Sequence, residues 1–185
     1  MISATEAHPH VWIDTVITAM FDRGTLTALR EDWSFDEDFT AMALSEVRKG
    51  NDKSALRPLT EGEVQQLKLR AFANLAQTGY LTHVWAKDKS VAVSGAVTAF
   101  SARLDGGKLT YSFTLPLAAP LDPRVGVVRI GVWDDTYFID VGPAKGVAAR
   151  VEGEGSSGCR AGVVDDQDHP IYFGAVIPKV IEISC

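Results

Sequence analysis

The run SVAVSGAVTAFSARLDGGKLTYSFTLPL, residues 90–117, decides the fold class. Its flanks are rich in β-branched and aromatic residues and read as strands, and LDGGK between them supplies turn chemistry at the glycines. Working outward, YLTHVWA (80–86), VGVVRIGVW (125–133), TYFIDV (136–141) and AVIPKVIEIS (175–184) read the same way. Turn signals KDK, APLDPR and WDD separate them. Toward the N-terminus, VWIDTVITAMF (11–21), the turn DRG and TLTALREDW (25–33) read as a β-hairpin, with Leu26, Ala28 and Arg30 sharing one face.

Between these strand regions the period changes. Phe35, Phe39, Met42 or Ala43 and Val47 recur at helical spacing, with Ser34 as expected N-cap and three acids in the first turn, so a helix is expected over about 36–47. A second helix opens on the capping-box pair Thr60 and Glu63, carries the stripe Val64, Leu67, Ala71, Phe72 and Leu75, and ends at Gly79. The expectation is an α+β protein, mostly β: an antiparallel β-sandwich or curved sheet with a two-helix insert at about 36–78. VEGEGSSGCRAG and VVDDQDHPIYFG read as loops. The 185 residues are expected to form a single domain, with 1–7 as a disordered or added tail.

With 46% apolar and 23% charged residues, the chain has the composition of a globular domain. Its net charge of −6 and the lack of a Lys/Arg cluster argue against nucleic acid as a partner. No apolar run reaches the roughly 20 residues of a membrane span, so membrane insertion is not expected. The opening MISATEAHPH carries no export signal, which taken alone places the chain in the cytosol. The two cysteines, Cys159 and Cys185, either close a disulfide from the chain end to a Gly/Ser-rich loop or stay as two thiols.

Candidate chemistry centres on histidine. In an extended strand, His8 and His10 project from one face and can offer two imidazoles to one metal ion; the bland reading is a solvated arm. His83 is the third candidate ligand, Asp134 or Asp36 the fourth or an orienting partner, and His169 reads as surface. DKSALRPLTEGE (52–63) fits an EF-hand frame with Asp52, Ser54, Thr60 and Glu63 at ligand positions, but Leu56 and Arg57 stand where an oxygen ligand and the turn glycine belong, so calcium is not expected. Neither a nucleophile elbow, an HExxH pair nor a phosphate-cradling glycine loop is present, and no enzyme activity is expected.

HPHVWID (8–14), LREDWSFDEDFTAMAL (29–44), NLAQTGYLTHVW (74–85), TAFSARLDGGKLTYSFTLPLAAPLDP (98–123) and VWDDTYFIDV (132–141) together resemble the bacterial domain of unknown function 1007 family, whose members are labelled periplasmic components of an uncharacterised ABC-type transport system. That resemblance implies export to the periplasm and a link to transition-metal handling. The function it implies is a metal-binding accessory protein that carries zinc, copper or nickel to a membrane transporter subunit. Two alternatives are a non-metal module docking on a transporter and a metal-dependent enzyme.

Overall fold

The computed structural model describes residues 9–48 and 57–185. Two long strands begin the chain, β1 (Val11–Asp22) and β2 (Thr25–Phe35), paired antiparallel from Ile13↔Phe35 to Asp22↔Thr25. Arg23 and Gly24 between them both take positive φ, 47° and 82°, the two-residue turn whose twist matches that of the strands. The helices α1 (Glu37–Val47) and α2 (Glu61–Arg70) follow, then a 3-10 segment over Phe72–Leu81. The rest is strand: β3 (Thr82–Ala86), β4 (Lys89–Val91), β5 (Thr98–Asp105), β6 (Lys108–Leu121), β7 (Val128–Val132), β8 (Ile139–Pro143), β9 (Ala149–Gly153), β10 (Arg160–Asp165) and β11 (Lys179–Ser184).

These strands form two sheets, ordered β5-β6-β2-β1-β8 with β9 also on β1, and β10-β11-β7-β3-β4. Period-two alternation gives each sheet one apolar face. Ile13, Ile17, Leu29, Trp33, Tyr111, Phe113 and Leu115 of the first meet Val84, Val128, Ile130, Ile181 and Ile183 of the second in one buried core. Phe72, from the 3-10 segment, plugs one region with ring contacts to Tyr80, Phe100, Tyr111 and Phe113 at 4.6–5.9 Å. Its burial alone contributes roughly 2–3 kcal/mol. The fold is mostly β, an α+β sandwich with a helical insert.

Where the structure departs from the sequence reading, the cause is tertiary. The run 90–105 is not one strand: β4 belongs to the second sheet and β5 to the first, and the chain crosses between them just after Val91, since Ala92 and Ser94 already bond to β6 of the first sheet. Pairing is antiparallel except along β1, which takes β8 and β9 parallel. A register shift between Leu26 and Ala28 changes which β2 residues face inward, so Leu26 is followed by Leu29, Glu31 and Trp33 instead of Ala28 and Arg30. Ser34 does not cap α1; it pairs with Thr110 in the β2–β6 ladder, their hydroxyls 3.0 Å apart. Asp36 is the cap, accepting from the Phe39 N–H at 2.8 Å. The Thr60–Glu63 capping box is present as expected, but α2 gives way after Arg70 to the tighter 3-10 segment. VEGEGSSGCRAG and VVDDQDHPIYFG are not wholly loop, because β9 and β10 draw residues from them. Cys159 and Cys185 form a disulfide that ties the start of β10 to the end of β11.

Candidate functional site

The start of β1 gathers three of the residues singled out by sequence. Alternation along β1 buries Ile13 and Thr15 and turns Trp12 and Asp14 outward. His10 donates its backbone N–H to the Phe138 carbonyl at 2.9 Å and lays its ring on that of Phe138, 4.8 Å between centroids. Asp134 holds the same turn from within, accepting from the backbone N–H groups of Thr136, Phe138 and Ile139 at 3.0–3.2 Å and from the Thr136 hydroxyl. Asp36 accepts from the Trp12 N–H at 2.8 Å as well as capping α1. Both carboxylates are thus bound to backbone donors, which fixes their positions and occupies acceptor sites an ion would share. Asp36 also borders a hollow of about 140 Å³, lined with it by Trp12, Asp14, Ser34, Lys108 and Asp140. His8, the partner imidazole expected from sequence, lies outside the described residues.

His83 goes elsewhere. On β3, Thr82 and Val84 face the core while His83 and Trp85 face away from it on the second sheet. The His83 ring stacks on Trp133 at 4.3 Å, Trp133 lies 5.4 Å from Trp85, and Trp85 carries His169 at 4.4 Å. Trp133 can lie flat here because residue 131, opposite His83 in the ladder, is glycine; a Cβ there would overlap the Trp133 ring. Burial pushes the His83 imidazole below its ordinary pKa, against the opposing pull of the Asp135 carboxylate. His169 is no bare surface residue: its Nδ1 stands 2.8 Å from Oδ2 of Asp166, which is buried. Such a carboxylate partner orients an imidazole and leaves Nε2 outward. Alongside runs a cleft of about 300 Å³ lined by Trp85, Asp88, Arg129, Asp168 and His169.

Of the predicted ligands, therefore, His10, Asp134 and Asp36 share one neighbourhood, and His83 joins His169 in another. Among the described residues no three His, Cys, Asp or Glu side chains stand together as a metal-binding group. In the EF-hand frame, positions 52–56 lie outside the described residues. Glu63 already holds cations of the chain itself: Arg57 bonds both its oxygens at 2.7 and 2.9 Å, and Arg48 Nε lies 3.4 Å away. The Arg57 bonds, above all, hold its pKa down at about 2.

Sequence reading missed Glu31. It is fully buried, with the Trp33 indole N–H donating to one oxygen at 2.8 Å and the Thr82 hydroxyl 3.0 Å from the other. Burial raises its pKa from 4.5 to about 7, the two hydrogen bonds opposing. The available signal was its parity with Leu29 and Trp33, an acid on an apolar face, which the shift at Leu26 obscured.

A family model for proteins of unknown function, DUF1007, matches residues 1–172. The chain belongs to the DUF1007 family. It is also similar to an uncharacterized protein of Haemophilus influenzae, 23% identical over 134 residues, which span 72% of this chain and 61% of that protein. An uncharacterized 15.5 kDa protein from the trpE 3′ region of Spirochaeta aurantia is 32% identical over 129 residues, 66% of this chain and 86% of that one. These relatives carry names without an activity. The disulfide fits an oxidising, extracytoplasmic compartment.

Proposed function

We propose that this DUF1007 protein is a periplasmic metal-binding accessory of an ABC-type or related transport system, presenting zinc, copper or nickel to a membrane transporter subunit. The observation that carries the reading is the start of β1, where a hollow is bordered by Trp12, Asp14, Asp36 and Asp140 and His10 stands two residues ahead of Trp12 in the chain. Three carboxylates against one lysine draw cations, and a histidine close by in the chain, His10, offers the nitrogen ligand that separates transition metals from calcium or magnesium. Capture is assigned to His10 with His8 and the Asp14 and Asp140 carboxylates. Asp36 and Asp134, tied to backbone, position the strand and the turn.

The test is titration of metal-free protein with Zn(II), Cu(II) and Ni(II), read by native mass spectrometry. One equivalent is expected to bind. His8→Ala with His10→Ala abolishes binding, while His83→Ala leaves it intact. Binding untouched by the double substitution, or no binding to the parent protein, refutes the reading.

A second reading, a docking module without metal, is favoured by β10, an edge strand with Val163 and Val164 exposed. Open edges of this kind accept strands from partners. Capture of a transporter subunit that survives removal of all four histidines, together with no metal uptake, selects it.

A further inference from the structure

Thr82 Oγ1 lies 3.0 Å from Glu31 Oε1 and also 3.0 Å from the Tyr80 carbonyl. A hydroxyl has one hydrogen, so it cannot serve both acceptors at once. If Glu31 carries a proton, every bond closes: the Trp33 indole N–H donates to one carboxyl oxygen, the carboxyl O–H donates to Thr82, and Thr82 donates to the Tyr80 carbonyl. If Glu31 is ionised, the Thr82 hydrogen turns to the carboxylate and the Tyr80 carbonyl loses it. The Trp33 indole, from β2 itself, and the Thr82 hydroxyl, from β3, are the polar partners of Glu31, and among the described residues no charged side chain balances it. The Tyr80 hydroxyl is engaged with the Gly95 carbonyl.

What the carbonyl holds is strained backbone. Tyr80 and Leu81 both take left-handed φ, 57° and 55°, in the link that joins the helical insert to β3. Non-glycine residues persist there only where surrounding bonds hold them. Leu81 in turn accepts from the Trp133 backbone N–H at 3.0 Å, and Trp133 is the ring on which His83 stacks. A continuous path thus runs from a carboxyl group in the core to the imidazole and indole rings on the outer face of the second sheet.

We propose that Glu31 is a proton-operated latch: protonated, it closes the Trp33–Glu31–Thr82–Tyr80 chain and holds the Tyr80–Leu81 link; ionised, it frees that link and shifts the Trp133–His83–Trp85 stack. The proton inventory carries this assignment, and the rise of the Glu31 pKa toward neutrality by burial agrees with it. The outer face of the second sheet is thereby made sensitive to the pH of the surroundings.

The test is NMR titration of the full chain from pH 5 to 8.5, following the Glu31 side-chain carboxyl carbon, the Trp33 indole N–H, and the Leu81, His83 and Trp133 backbone amides. In the parent protein all are expected to move with one shared midpoint, between about 6 and 8. In Glu31→Gln, whose amide supplies the same donor and acceptor without titrating, the indole and amide signals stay at their acid positions. A carboxyl midpoint below about 5 overturns the proposal. So do amide signals that ignore the carboxyl titration, or that follow an unchanged profile in Glu31→Gln. Should that variant fail to fold, the carboxyl midpoint and its match to the amides in the parent protein decide alone.

Discussion

Breaking the Cys159–Cys185 disulfide is expected to cost about 3.5 kcal/mol of stability. The bond closes a sequence separation of 26 residues, and the chain-entropy relation for a loop of that length gives about 3.5 kcal/mol at 25 °C. The folded state loses little when the bond opens, because Arg160 and Ser184 remain opposite one another in the β10–β11 ladder. Most of the loss therefore comes from freeing the unfolded chain. For a chain of this size the melting temperature falls by roughly 10 °C. Urea unfolding with and without a phosphine reductant measures it, with Cys159→Ala/Cys185→Ala as the control against mixed thiol states. The dependence on urea is expected to steepen on reduction, since an uncrosslinked denatured chain exposes more surface. A loss under about 1 kcal/mol with an unchanged urea slope refutes the reasoning.

Stability is expected to fall by up to about 3 kcal/mol as pH rises from 5 to 8. The Glu31 pKa stands at about 7 in the folded state against 4.5 unfolded, so its contribution is complete below 4.5 and lost as pH climbs through 7. Glu31→Gln should flatten that slope in chemical denaturation, and an equal slope in both proteins contradicts it. Glu63 acts with the opposite sign: held near 2, its contribution is present above 4.5 and lost as pH falls through 2, so Arg57→Ala should raise the midpoint of acid unfolding followed by far-UV circular dichroism. An unmoved acid midpoint refutes that. Gly131→Ala should cost about 1–3 kcal/mol and change the near-UV tryptophan bands, because the new Cβ displaces the Trp133 ring; unchanged bands would show that the ring does not rest there.

Much of the architecture was legible locally. Runs of β-branched, aromatic and apolar residues marked β1, β6 and β7, the turn glycines at 106 and 107 placed the β5–β6 hairpin, and the Thr60–Glu63 pair set the start of α2. β10 was not legible, because a strand exposed along nearly its whole length leaves no apolar period to read. The candidate site was half visible. His10, Asp36 and Asp134 could be named, since His and Asp announce their chemistry by type. The partnership of Asp14 and Asp140 depends on the parallel pairing of β1 with β8, which brings together positions about 126 residues apart in sequence.

The sequence by itself determined the strand-rich class, the helical insert and the chemical repertoire, because period, caps and turns are short-range properties of neighbouring residues. Tertiary structure alone decided the crossing from β4 to β5, the separation of His83 from His10, and the disulfide. It also decided that Glu31 sits between the sheets with one shared hydroxyl hydrogen. Each of these depends on which surfaces meet when two sheets close, a matter of long-range packing and burial that no local pattern encodes.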